Sequence, residues 1–505
     1  MTRLTTVRIA TAVALTAMFM ALIWRVWVFY ITTGQVIFRP YGLDYGEGIV
    51  WQQAALMFTH DAYGAIDGFP ALVFHYPPLY HIVARGFSVV SGQNMLLAGR
   101  ELSIAATFLI ALVVGLIVAR AASTEVSARG RAVIGAGGAL AVFCLHPVEH
   151  WAPLMRVDMV AILLAVTGFW LGLKALERPA WIYGAAVCFV AAVFTKQTEI
   201  AAPAALFALL LWRRPRIAIA GIMACTFLGL LVVGGLEWAT SGGFLKHIFL
   251  YNLNRIEWRR LAPIAEYSPF FVLAAVFSIR RFVALQQRHR TMQARDVRDL
   301  AWLGLLFYAA TSSLMVLTIA KSGSANNYLI EWLLVAVMLI ASALADALNV
   351  AEKPRADKAF PVSLMTSAIG IPCVVAAMAF FLKTPDRDLP WPPERRAAMA
   401  QLSAIVARSS KPVISDDMVM LMQNNRRVMW EPSIFAELAS KGVWDQTDII
   451  RRIRSRQFQM FVTEGVRGDY YFDSRYNPAV ADAIDAAYPI KRQLGGFTLH
   501  LPEKS

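Results

Sequence analysis

Several groups of ionisable residues sit beside apolar stretches of this sequence, where charge is costly. The first lies in YGLDYGEG, where Asp44 and Glu47 stand three apart among Gly42, Gly46 and Gly48. Carboxylates on a glycine-rich bend near lipid suit general-base chemistry, because burial raises a carboxylate pKa toward the working pH. An N-cap and a dipole-stabilising Glu on the helix that follows is the plainer reading. FHYPPLY then places His75 and Tyr76 before two prolines that fix an extended approach. In HPVEHWAPLMRVD, Glu149, His150, Arg156 and Asp158 precede an apolar run, where Arg156 and Asp158 could simply neutralise each other. VFTKQTE sets Lys196, Gln197 and Glu199 inside a nearly continuous hydrophobic stretch. A lysine there is a compact point charge for an anion such as a lipid phosphate, or else one half of an i,i+3 ion pair. KSGSANNYLIE repeats the arrangement, with Lys321, Asn326, Asn327 and Glu331. Finally, Arg255, Arg259 and Arg260 stand with Lys246 and His247 among aromatic residues of segment 239–268.

The elements carrying these residues are set by composition. Of 505 residues, 58% are hydrophobic and 16% charged, against about 45–50% and 25% in soluble domains. Disorder, a fibrous chain and an ordinary cytosolic globule are excluded, leaving an α-helical polytopic membrane protein. Apolar runs near 9–30, 98–119, 132–148, 158–176, 181–195, 200–212, 217–237, 269–286, 300–320, 328–348 and 360–382 predict about eleven transmembrane helices. Segment 79–92 is apolar but brief and contains His81 and Arg85, so it is expected to lie at the membrane surface.

Charge fixes the orientation. With the N-terminus inside, the loops with Arg120, Arg129 and Arg131, with Lys174 and Arg178, and with Arg213, Arg214 and Arg216 all fall on the cytoplasmic side. Counting 79–92 as a span breaks this pattern. The opposite face then receives 31–97, 239–268 and the C-terminal 384–505, together with the short segments 149–157, 195–199 and 321–327. The net charge of +14 comes almost wholly from residues 1–383, since 384–505 hold 17 Lys/Arg against 15 Asp/Glu. The excess therefore follows the positive-inside rule, and no nucleic-acid partner is implied. The four cysteines fall in apolar runs and suggest neither a disulfide framework nor a zinc site. Arg25, near the outer end of the first run, is expected to snorkel.

Residues 1–383 thus form a transmembrane module with a long first extracytoplasmic loop at 31–97, and 384–505 a separate domain. After the Pro-rich opening, helical periodicity at 394–408, 432–440, 445–456 and 477–487 alternates with β-like runs at 411–415, 427–430, 458–463 and 497–501. A small extracytoplasmic α/β domain follows.

LDYGEG, YPPLY, RVD, TKQT and ANNYLIE, in this order and on one side of the membrane, resemble the GT-C class of membrane glycosyltransferases. The likeness is to the protein-mannosyltransferase and aminoarabinose-transferase branch, family 39-like, over roughly residues 1–383. It implies a polyprenyl-phosphate sugar donor and a hydroxyl acceptor (glycolipid, polysaccharide or protein). It also implies an inverting displacement on the outer face of a bacterial inner membrane. Relatives carry an adjacent Asp-Glu pair, whereas here Asp44 and Glu47 are separated, so either could be the base; Asp44 is preferred, with Asp158 completing the acidic set. His75, Tyr76, Arg156, Lys196, Gln197, Arg255, Arg259, Arg260, Lys321, Asn326, Asn327 and Glu331 are expected to bind substrate. No cofactor is obligatory, though a divalent cation between Asp44, Glu47 and Asp158 remains an option. The competing readings are a flippase of polyprenyl-linked sugars and a ligase using diphosphate-linked glycans. The absence of an internal repeat and the gathering of ionisable groups at one face weigh against a transporter.

Overall fold

The computed structural model of the chain describes residues 3–122, 126–252, 254–289, 296–352 and 391–503. The expected eleventh span at 360–382 and the 383/384 boundary lie outside them. The described part of the membrane module opens with α1 (Arg3–Ile37), α2 (Glu47–Leu56), α3 (Leu79–Ser91), α4 (Met95–Ala121), α5 (Ala128–Ala141), α6 (His146–Trp151), α7 (Asp158–Ala175), α8 (Trp181–Val193), α9 (Ala201–Arg213) and α10 (Pro215–Ala239). Helices at Ser268–His289, Val297–Val316 and Ile330–Glu352 follow. Seven described helices are long and apolar enough to cross a membrane.

The expected spans at 181–195 and 200–212 form α8 and α9, helices of 13 residues each. At 1.5 Å per residue each rises only about 20 Å, short of the roughly 30 Å hydrocarbon core. The expected span at 132–148 is divided. Leu145 is extended before His146-Pro147, which ends the first piece and opens α6. Segment 79–92 is a 13-residue helix stopped by Gly92 in the left-handed conformation at φ 67°.

Small residues let these helices approach. A Cβ on Gly115 would stand 2.8 Å from the Gly135 carbonyl oxygen, and one on Gly135 would stand 2.7 Å from that of Gly115. The pair sets α4 against α5 backbone to backbone. Gly172 likewise admits Leu206, whose Cδ2 would stand 1.9 Å from a Cβ there. Arg25 does not snorkel. It is 3% exposed and ion-paired with Glu149 of α6, which offsets the cost of burying either charge.

Beyond residue 391 a four-stranded sheet has the order β1 (Val413–Ser415), β2 (Met460–Thr463), β4 (Phe497–Leu501), β3 (Ile490–Leu494). β1 and β2 are parallel and the other pairs antiparallel. Helices at Pro393–Ala407, Pro432–Ser440, Thr447–Arg454 and Pro478–Ala487 accompany it, close to the periodicities expected. Segment 427–430 is no strand, since only Trp430 pairs, in a parallel bridge with Ala71. β3 carries no strand signal of its own, because IKRQL is a largely exposed hairpin partner without the alternation of a half-buried strand.

This domain rests on the first loop. Gln52 donates to the Val428 carbonyl at 3.0 Å and accepts from its N–H at 2.8 Å. The Ala71 N–H reaches the Met429 oxygen at 3.0 Å, and Trp444 Nε1 reaches the Ile66 carbonyl at 3.1 Å.

Candidate active site

Four chain segments far apart in sequence deliver polar side chains to one place. Asp44 lies on the bend before α2, Arg156 stands just ahead of α7, and Asp158 opens it. Lys196 lies in the short link between α8 and α9, and Asn327 in the 3-10 turn at Asn326–Leu329. Asp158, fully buried, is the hub. Its Oδ1 accepts from Lys196 Nζ at 2.9 Å and from Asn327 Nδ2 at 2.7 Å, and Arg156 Nε lies 3.9 Å from its Oδ2. The Arg156 guanidinium turns its other nitrogens toward the bend, donating to Asp44 Oδ1 at 3.0 Å and to the Tyr76 hydroxyl at 3.1 Å. Lys196 Nζ also sits 4.1 Å from the centre of the Tyr328 ring. One chain of contacts therefore runs Asp44–Arg156–Asp158–Lys196, with Asn327 and Tyr76 attached.

The bend is built for this. Gly46 donates its N–H to Asp44 Oδ1 at 2.9 Å, and a Cβ there would lie 1.4 Å from an Arg156 nitrogen, so only glycine lets the guanidinium approach. Asp44 keeps a quarter of its side chain exposed, and Arg156 about an eighth, so this end of the network is open. Burial raises the Asp44 carboxyl above its ordinary range, with Arg156 opposing the rise. Burial also pushes the Tyr76 phenol up to about 12, so it stays protonated. Burial opposes the charges of Arg156 and Lys196 too. For Arg156 it is overcome chiefly by Tyr76, Asp44 and Asp158, and for Lys196 by Asp158, so both remain cationic.

Glu47 takes a different part from that expected. It is fully buried and accepts from Leu43 N at 2.7 Å, Met155 N at 2.8 Å, Arg100 Nε at 2.9 Å and Arg100 Nη2 at 2.8 Å. Both oxygens are taken, and none is left for a substrate proton. Arg100, which also donates to the carbonyls of Ile37, Arg39 and Tyr41, ties the first loop to α4. Its sequence signal is weak, since Glu101 stands beside it as a ready local counter-ion.

The remaining candidates divide. His75 pairs through Nε2 with Glu431 of the C-terminal domain at 2.8 Å, while its carbonyl accepts from Gln197 at 2.9 Å and Asn252 at 3.0 Å. Asn326 accepts from Trp151 Nε1 at 2.6 Å. Glu331 points back into the bundle, where it accepts from the Tyr308 hydroxyl at 2.6 Å. The basic loop does not join the cluster. Arg255 pairs with Glu437 at 3.2 Å, and Arg260 with Glu257 at 2.8 Å and the Tyr470 hydroxyl at 3.0 Å. Arg259 has its side chain 76% exposed, 3.7 Å from Glu257. Lys321 is exposed and pairs with Ile256 through backbone alone. The C-terminal domain and local acids thus engage charges that the sequence leaves looking free. Among the described residues no group of three or more His, Cys, Asp or Glu is arranged to hold a metal ion.

The fold is shared with solved membrane proteins. ArnT from Cupriavidus metallidurans bound to undecaprenyl phosphate superposes with a TM-score of 0.55 at 15% identity, covering 95% of this chain and 97% of that one. Its apo state gives 0.57 at 14% identity, covering 96% and 98%. No curated protein matches the chain in sequence. The sequence profile of glycosyltransferase family 87 matches residues 74–343, more than half of the chain and a stretch that holds Tyr76, Arg156, Asp158, Lys196 and Asn327. This is a membrane glycosyltransferase of GT-C fold, and the chain belongs to glycosyltransferase family 87.

Proposed function

We propose that this chain transfers a sugar from a polyprenyl-monophosphate donor to a hydroxyl acceptor at the extracytoplasmic face of a bacterial inner membrane. The N-terminus is then cytoplasmic, and residues 391–503 face the periplasm. The acceptor is a glycolipid, a polysaccharide or a protein. The observation that carries this reading is the direct contact of Asp44, an open carboxylate, with Arg156, whose partner Asp158 also holds Lys196. That an ArnT structure of the same fold holds undecaprenyl phosphate supports the donor class.

The roles follow from charge. The acceptor oxygen attacks the anomeric carbon as the bond from that carbon to the phosphate oxygen breaks, and configuration inverts. Asp44, its pKa raised by burial, takes the hydroxyl proton. The electron pair of the broken bond stays with the polyprenyl phosphate, whose charge rises. Arg156 and Lys196 face that charge. At 4 Å and an effective dielectric near 20, each pair of unit charges interacts by about 4 kcal/mol. Two such cations supply the role a metal plays elsewhere, so turnover is expected to persist in EDTA.

The test uses the purified full chain in nanodiscs, supplied with undecaprenyl-phosphate-linked mannose, glucose or arabinose and a mixed glycolipid acceptor fraction. Release of undecaprenyl phosphate coupled to acceptor labelling, lost in Asp44→Asn, is expected. Full turnover by folded Asp44→Asn overturns the assignment of the base. Turnover only of diphosphate-linked donors overturns the donor class.

A further inference from the structure

The bend carrying Asp44 is held on both sides by the C-terminal domain. Tyr45, the next residue, lies under the Arg475 guanidinium, whose central carbon is 4.2 Å from the ring centre. Arg475 is itself fixed. It is 7% exposed, with Nη1 2.8 Å from Asp416 and Nη2 donating to Glu464 at 2.9 Å. Asp416 is anchored in turn by the Tyr476 hydroxyl at 3.1 Å and the Glu464 N–H at 2.8 Å. On the near side of Asp44, the Gly42 N–H approaches Asp417 Oδ1 at 3.4 Å. On the far side, a Cβ on Gly48 would stand 2.4 Å from the backbone of Met418 and Val419, so the two backbones are in direct contact.

We propose that Arg475 is a positioning residue for the reaction: locked by Asp416 and Glu464, it clamps Tyr45 and thereby fixes the bend that presents Asp44. The C-terminal domain is then part of the active site rather than a cover over it. The inference rests on Asp44 being the base. Small displacements of a catalytic group are enough to matter, since about 1 Å costs up to about 100-fold in rate. The Gly42 and Gly48 contacts hold the ends of the bend, and Tyr45 is the side chain of the bend itself that the domain grips.

The test uses the full chain in nanodiscs with Arg475→Met, Arg475→Lys, Tyr45→Leu and the double variant Tyr45→Leu/Arg475→Met. Two quantities are read: amide exchange of peptides spanning 41–48, and kcat and KM for the donor that the wild type turns over. Arg475→Met is expected to lose protection over 42–48 and to drop kcat by about 10- to 100-fold, with donor KM unchanged. Arg475→Lys should recover part of that loss, and Tyr45→Leu should reproduce it. The double variant should be no worse than either single one. Should Arg475→Met fail to fold, Tyr45→Leu carries the test, because it leaves the Asp416–Arg475–Glu464 set intact. Unchanged exchange in a folded variant, an unchanged kcat, or additive losses in the double variant overturn the clamp. Asp44→Asn, assayed alongside, separates the two claims: if it stays active, the base assignment falls, while amide exchange still judges the clamp.

Discussion

Asp44 and Glu47 of the first loop should fail in opposite ways when neutralised. Glu47→Gln replaces one oxygen of a carboxylate that accepts four hydrogen bonds, two of them from the Arg100 guanidinium. The new amide sets N–H against N–H and leaves Arg100, itself without exposure, uncompensated. Breaking a buried pair from one side costs about 3–5 kcal/mol. At about 2 °C per kcal/mol for a large chain, Tm should fall by about 6–10 °C. Asp44 is a quarter exposed, and among the described residues its carboxylate pairs only with Arg156 and the Gly46 N–H. Asp44→Asn should therefore leave Tm within about 2 °C, since partly exposed pairs contribute about 1 kcal/mol or less. It should lower turnover by at least about 100-fold, the loss of a general base. Unfolding of both variants in nanodiscs is followed by the fluorescence of the 14 tryptophans, and turnover by release of undecaprenyl phosphate. A stable but inactive Glu47→Gln beside an active Asp44→Asn would exchange the roles and refute the reasoning.

Three further outcomes follow from the geometry. Lys196→Met should lower turnover by about 100-fold or more, as for loss of one charge-stabilising group. Lys196→Arg should not restore it, because Asp158 at 2.9 Å and the Tyr328 ring at 4.1 Å enclose a single ammonium; steady-state rates at wild-type level in the arginine variant would contradict this. Gly48→Ala should destabilise by about 1–3 kcal/mol through its clash with Met418 and Val419, while Gly34→Ala, with nothing within 4 Å, serves as the neutral control in the same thermal scans. Asp417 has its carboxyl pushed up to about 6, chiefly by burial. The folded state thus binds this proton more tightly than the unfolded chain, so stability falls as pH rises from the ordinary carboxyl range to about 6 and is level above that. Asp417→Asn keeps an acceptor for the Met420 N–H and should raise Tm at pH 8, with the gain shrinking at pH 5. A gain that does not depend on pH would contradict this assignment.

Much of the architecture is written in local sequence. Long apolar runs bounded by arginine predict helices because burying backbone in lipid leaves few alternatives, and α4, α7 and α10 lie where those runs do. Pro147 divides a run that hydropathy alone joins, and residue chemistry could have revealed it. In the C-terminal domain the β-favouring apolar residues of 458–463 and 497–501 mark β2 and β4, whereas exposed β3 depends on its partner for its shape.

The site divides along the same line. Residue type and the expected membrane side mark Asp44, Arg156, Asp158, Lys196 and Asn327 as unusual, because an ionisable or amide group beside an apolar run needs a reason to be there. Which partner each takes is decided by contacts between segments 38 to 169 residues apart in the chain, and no local signal encodes them. Thus Glu47 meets Arg100 and becomes an anchor, while Asp44, three residues earlier, stays open. Arg255 and Arg260 look free until the C-terminal domain offers Glu437 and Tyr470. A lone charge carries the same sequence signal whether it is destined for a counter-ion or for a substrate, and only tertiary packing decides between them.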